Sequence, residues 1–166
     1  MWLTDTRVLV TLLAASLSAP AEAKVEAGQI VPPLADFRLE GDLPKLHGHV
    51  VVLDVWASWC APCKASFPAL AKLHQEFSRR GVVVLGISVD ENARQYAAFV
   101  RRHAPPFPVV RDQGLAFARS FEPPAMPTTY VIDRHGRVRR VHRGFQGEST
   151  VAELRNEVEQ LLQEGP

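Results

Sequence analysis

The sequence predicts one α/β domain on a mixed sheet, and three observations carry the prediction. Residues 50–55 and 82–89 are mostly apolar, largely β-branched runs, with Asp54 inside the first and Ser88 near the end of the second, the pattern of strands covered on both faces. The stretch between them repeats its apolar positions at helical spacing, with Phe67, Leu70, Leu73 and Phe77 on one face. Residues 128–132 and 137–142 flank an Asp133-Arg134-His135-Gly136 turn and read as a hairpin. A βαβ unit followed by ββα places helices against a central mixed sheet.

The elements follow in order. Residues 24–34 read as a polar, proline-containing lead-in, and residues 36–40 as a weak strand. After the strand at 50–55, a helix is expected from Pro62 to about Ser78, with Pro68 removing one backbone donor inside it. Gly81 ends that helix, and the strand at 82–89 follows. Asp90 is expected to cap a helix over residues 91–102, whose apolar face is Tyr96, Phe99 and Val100. Pro105, Pro106 and Pro108 break the chain before a short extended segment at 109–110 and a short helix at 115–121. Thr150 and Glu153 have the spacing of a capping box, opening a last helix with Val151, Leu154, Val158, Leu161 and Leu162 inward.

The two cysteines, Cys60 and Cys63, lie three positions apart in Trp59-Cys60-Ala61-Pro62-Cys63, where the first strand turns into the first helix. One helical turn brings two such side chains near bonding range. A disulfide closing so small a loop constrains the unfolded chain little, which makes it a poor staple. A structural bridge and half of a zinc site are the alternatives to a redox centre. Structural zinc wants four ligands, and the chain has no second Cys-x-x-Cys and no His-x₃₋₅-His. Cys60, at the helix start, faces unpaired N–H groups and the positive end of the dipole, which stabilise a thiolate. It is therefore the expected nucleophile, with the more shielded Cys63 resolving the mixed disulfide.

The first 23 residues read as a secretory signal: a short polar start with Arg7, a largely apolar stretch over 8–19, and the small-x-small pattern Ala21-Glu22-Ala23. That apolar stretch is shorter than the roughly twenty residues a bilayer span needs. No cysteine stands at the junction, so lipidation there is excluded, and no twin arginine is present. The mature domain is expected to span residues 24–166 and to work in the periplasm or a similar space that permits disulfide chemistry. The formal net charge is only +1, which argues against nucleic acid as a partner.

At this point the residues resemble a family. Residues 51–64, Val-Val-Leu-Asp-Val-Trp-Ala-Ser-Trp-Cys-Ala-Pro-Cys-Lys, resemble the strand, active-site turn and helix of the thioredoxin superfamily. Pro68 matches its kinked helix, and residues 125–133, Ala-Met-Pro-Thr-Thr-Tyr-Val-Ile-Asp, look like its cis-proline segment. The signal-like start, the lead-in at 48–52, the longer insert at 90–110 and the wording of the proline segment are closer to one branch. That branch is the TlpA/ResA/DsbE-like extracytoplasmic thiol-disulfide oxidoreductases. The resemblance runs from about Ala27 to Gln163.

The resemblance implies a thioredoxin-like fold and a catalytic set of Cys60, Cys63 and Asp54, the last a buried proton acceptor for Cys63. Otherwise Asp54 is a polar group satisfied by backbone at a strand end. Many TlpA-like relatives carry asparagine here and glutamate three residues after the second cysteine. This chain has Asp54 and Ser66 at those positions, so the acid's task is expected to pass to Asp54. Trp59 is expected as a partly exposed lid beside the sulfur and Trp56 as a core residue. Pro62, Met126 and Pro127 complete the implied substrate-binding set, Pro127 in the cis form presenting Met126 to a client peptide and blocking metal at the thiols.

The implied partners are disulfide-bearing proteins, such as apocytochrome c or a copper-site subunit, and a membrane thiol donor. No metal or other cofactor is implied beyond the cysteine pair, and a monomer is the default. The reading from another class is a copper chaperone using Cys60 and Cys63, with Met126, as soft ligands. Copper chaperones of this fold resemble a longer Cys-x-x-x-Cys spacing, which this chain lacks. A peroxiredoxin would need Thr or Ser where Ala57 stands. The arginines of the hairpin (134, 137, 139, 140 and 143) read as a charged edge strand, and His47 and His49 as a solvated turn.

Overall fold

Seven consecutive buried residues, Val50–Trp56, make β2 the centre of a six-stranded sheet in the computed structural model, which describes residues 25–165. β2 runs parallel to β3 (Val82–Ser88) and antiparallel to β5 (Thr128–Ile132). β4 (Val109–Asp112) lies parallel beyond β3, and β1 (Leu39–Glu40) and β6 (Val138–Arg143) form the edges, giving the order β1-β4-β3-β2-β5-β6. The predicted mixed sheet is therefore present.

Because side chains alternate along a strand, β2 feeds two cores. Val50, Val52 and Trp56 meet α1 (Ala61–Phe77) and α4 (Glu148–Gln163) through Phe67, Leu70, Leu73, Phe77, Leu154 and Val158. Val51, Leu53 and Val55 meet α3 (Ala116–Phe121) and the N-terminal lead-in through Phe117, Phe121, Val25 and Leu34. α2 (Ala93–His103) adds Phe99 to the first core, where it lies 4.7 Å from the Trp56 ring centre. Asp54 shares the alternation of Val52 and Trp56, so it belongs to the face covered by α1, the helix that carries the cysteines.

Four local expectations are corrected. The weak strand at 36–40 is only Leu39–Glu40, paired with Asp112 and Arg111, because a 3₁₀ turn takes up Leu34–Asp36. Asp90 does not cap α2. Asn92 does, its Oδ1 accepting from the N–H groups of Arg94 and Gln95 at 3.0 and 3.3 Å, while Asp90 is drawn into the active-site turn. The Thr150–Glu153 capping box is absent, because α4 already starts at Glu148 after Gly147, whose φ is 68°. Thr150 instead accepts from the Gln146 N–H, and Ser149 donates to Glu153. His49 is half-buried rather than solvated, whereas His47 is exposed.

The lead-in is bound more closely than its composition suggested. Val25 donates to the Phe121 carbonyl, Gly28 to Val138 and Val31 to Gly136, and Ile30 bridges Arg137 beside the β6 edge. The predicted cleavage junction after Ala23 lies outside the described residues. Among the described residues no helix is long and apolar enough to cross a membrane.

Among the described glycines, Gly86 leaves the least room for a side chain. A Cβ there would come within 2.9 Å of Trp56 Nε1 and 3.1 Å of Val109 Cγ1. Gly86→Ala is expected to lose about 1–3 kcal/mol by overpacking, read as a lower urea midpoint at unchanged slope. An unchanged midpoint would mean that Trp56 is free to move aside.

Candidate active site

The active-site turn leaves the C-terminal end of β2 and enters α1 through Cys60, whose backbone is extended (φ −83°, ψ 110°) as a helix N-cap requires. Its Sγ occupies the capping position, accepting the Cys63 N–H at 3.2 Å. Cys60 and Cys63 form a disulfide with their Cα atoms 5.3 Å apart. Cys63 has no exposed surface, whereas Cys60 retains 5%. This asymmetry matches an outer attacking and an inner resolving sulfur. Pro62 fits the first helical turn, where its missing N–H has no partner to lose.

Around the sulfurs, each expected residue takes a definite place. Trp59 is 65% exposed beside Cys60, and Trp56 is fully buried against Phe67 and Phe99. Ser66, at the position where related chains carry an acid, is buried and donates to the Cys63 carbonyl at 2.9 Å. The Met126–Pro127 peptide is cis, as expected. β2 and β5 pair Asp54 with Thr129 and Val55 with Thr128, so Pro127 follows next in register, level with Trp56 at the base of the turn. Thr128 Oγ1 donates to the Ala125 carbonyl at 2.7 Å and Gly144 N–H to that of Pro127, fixing the segment from both sides.

Asp54 is fully buried. Thr129 donates to its Oδ1 at 2.6 Å, while Oδ2 meets no protein donor. Burial pushes its pKa from the ordinary 3.8 up to about 7, and the Thr129 hydrogen bond opposes part of that rise. A carboxyl poised near neutrality can take up or release a proton at the pH where thiols exchange. Asp54 is thus not satisfied by backbone, contrary to the alternative reading.

Sequence reasoning missed the polar bracket behind the turn. Asp90, 1% exposed, accepts from Ser58 N–H at 2.9 Å, Ser58 Oγ at 2.8 Å and Ser88 Oγ at 2.7 Å. The buried Arg111 closes the bracket, donating to the carbonyls of Asp90 and Glu91 and to Glu40 on β1. Two residues before Cys60, the turn is thereby tied to three strands. The one available signal was a serine–aspartate pair ending a buried strand, which also fits a helix cap.

The raised Asp54 pKa has a consequence for stability. Between about pH 4 and 7 the unfolded chain releases this proton while the folded one keeps it, so stability falls as pH rises through that window and levels off above it. The Asp54→Asn variant removes the slope. It should be more stable than the parent at pH 8 by a few kcal/mol, and much less so at pH 4, by urea unfolding. Parallel pH profiles would contradict a buried, late-ionising Asp54.

Comparison with known proteins agrees with this geometry. The sequence pattern of the Redoxin family matches residues 35–158. The thiol-disulfide oxidoreductase ResA of Halalkalibacterium halodurans is 34% identical over 119 residues, 70% of this chain and 68% of that protein. ResA of Bacillus subtilis is 31% identical over 115 residues, 69% and 64% of the two chains. Among solved structures, a Chlorobium tepidum protein assigned as thiol:disulfide interchange protein DsbE superposes with a TM-score of 0.76 at 30% identity. That superposition covers 84% of this chain and 99% of the other. With its Cys60–Cys63 pair at the head of α1, the chain belongs to the Redoxin family, as a thioredoxin-fold thiol-disulfide oxidoreductase of the ResA/DsbE type.

Proposed function

We propose that the protein reduces disulfides in extracytoplasmic client proteins by dithiol exchange through a mixed disulfide. The observation that carries the reading is the pairing of an N-cap sulfur at Cys60, which receives a backbone N–H, with a sealed Cys63 one turn away. In the reduced protein the Cys60 thiolate attacks one client sulfur, and the client's S–S bond breaks to release a thiolate. Cys63 then gives its proton to Asp54 and attacks Cys60 Sγ. The mixed disulfide breaks, the second client thiolate leaves, and Cys60–Cys63 closes. Two electrons pass to the client, and its two thiolates take up two protons.

The other site residues act by position. Pro127 and Met126 stand at the base of the turn, where they offer backbone to an extended client segment, and Pro62 and Trp59 form the exposed rim around Cys60. The signal-like pattern of residues 1–23 supports an extracytoplasmic, periplasmic setting. There a membrane protein with a reactive dithiol would restore the reduced pair. Clients whose cysteines must be free before they receive a cofactor, of the apocytochrome c or copper-site type, fit a reductase in such a space.

The cysteine roles are separable. Cys63→Ser should accumulate a dithiothreitol-sensitive adduct with a disulfide-bonded peptide, seen on non-reducing gels. Cys60→Ser should form none, and neither should turn over. Adduct formation by Cys60→Ser alone would reverse the assignment. Stoichiometric copper retained by the reduced protein through dialysis would favour the chaperone reading instead.

A further inference from the structure

The cations of α2 set one side of the active site apart. Some arginines elsewhere are locally matched, Arg139 with Glu164 and Asp133, Arg140 with Glu157 and Arg155 with Glu76, while Lys72, Arg79 and Arg119 are exposed without an ion pair among the described residues but lie on other parts of the chain. α2 carries the cations Arg94, Arg101 and Arg102, the imidazole of His103 and no carboxylate. Arg102 and the nearby Lys64 of α1 are exposed and have no side-chain ion pair or hydrogen bond among the described residues. Of the two acids just before α2, Asp90 is buried and turned to Ser58, and Glu91 lies exposed ahead of the helix.

Two of these cations, Arg102 and Lys64, line a groove. An open depression of about 340 Å³ runs beside Trp59, bounded by Lys64, Gln95, Phe99, Arg102 and His103. Its floor is aromatic, since the His103 ring stacks on Phe99 with centres 4.1 Å apart. A second depression of about 150 Å³ continues from it past Lys64 and His103 to Pro105 and Pro106. A client chain that runs over Trp59 from Cys60 enters this groove.

We infer that the Trp59–α2 groove binds an acidic segment beside the disulfide of the client, selecting partners by charge. The inference rests on the reading of Cys60–Cys63 as an exchange centre and adds the chemistry of the partner. Unmatched cations next to a reacting centre raise the local concentration of an anionic partner and its encounter rate, an effect that salt screens. The aromatic floor takes the apolar stems of the same segment. Trp59, standing between groove and sulfur, couples docking to exchange.

The test uses the reduced protein and three disulfide-bonded peptides that differ only in residues flanking one cysteine: glutamates, glutamines or lysines. A small uncharged disulfide serves as control. Acid-quenched kinetics at low salt should show the glutamate peptide reacting about tenfold faster than the glutamine peptide, and the lysine peptide slowest. The advantage should shrink to about twofold or less near 0.5 M salt. Arg102→Gln should reduce it, and Arg102→Glu should abolish or invert it, with the uncharged control unchanged in both. Equal rates for all three peptides, or a preference that survives Arg102→Glu, would overturn the inference while leaving the exchange chemistry standing. Failure of the control disulfide itself would instead strike the exchange reading. Arg102-dependent binding to phosphatidylglycerol vesicles without any peptide preference would assign the groove to a membrane surface and also overturn the inference.

Discussion

The burial of β2 on both faces and both edges is the constraint on which the rest of the molecule depends. All seven of its residues are buried, and it is paired along its length with β3 and β5. A strand so enclosed cannot shift register without turning its core residues over, so its C-terminal end is fixed in space. The turn that carries Trp59 and Cys60 begins there. α1, held against the same strand by Phe67, Leu70 and Phe77, presents its N-terminal N–H groups to the first sulfur. The reactive pair thus inherits its position from a fully enclosed strand, while its rim at Trp59 stays in solvent.

Polar groups buried near this strand cost stability unless they are bonded, and the site treats two aspartates differently. Asp90 receives three hydrogen bonds and braces the turn. Asp54 receives one, on a single oxygen, and its proton affinity rises toward neutrality. A fully satisfied carboxylate suits a bracket, and the half-satisfied one fits the proton-acceptor role proposed for Asp54. Ser66 follows the same logic. With no acid at that position, its hydroxyl is spent on the Cys63 carbonyl.

What could be read in the sequence was what repeats or is chemically distinctive. The runs at 50–55 and 82–89, the α1 face and the Cys60–Cys63 spacing each predict their structure through periodicity or reactivity. The features that escaped depend on distant pairings. Asp90 precedes an α2-like pattern and so resembles a cap, yet Ser58, thirty-two residues earlier, binds it more fully than the helix could. Thr150 and Glu153 have capping-box spacing, but the chain turns three residues sooner, at Gly147. The lead-in looked merely polar because its anchoring is by backbone hydrogen bonds to β6 and its flanks, which composition does not reveal. The α2 cations were visible in the sequence, but their nearness to Trp59 is a tertiary fact.

The central claim is that Cys60 and Cys63 form a reducing dithiol. The most direct measurement is the reduction potential of the pair in defined redox buffers, followed through the fluorescence of the neighbouring, exposed Trp59. A value at or below about −220 mV, toward the thioredoxin end of the scale, is the predicted result. A value above about −180 mV would make the protein an oxidant or an isomerase and contradict the proposed direction of electron flow.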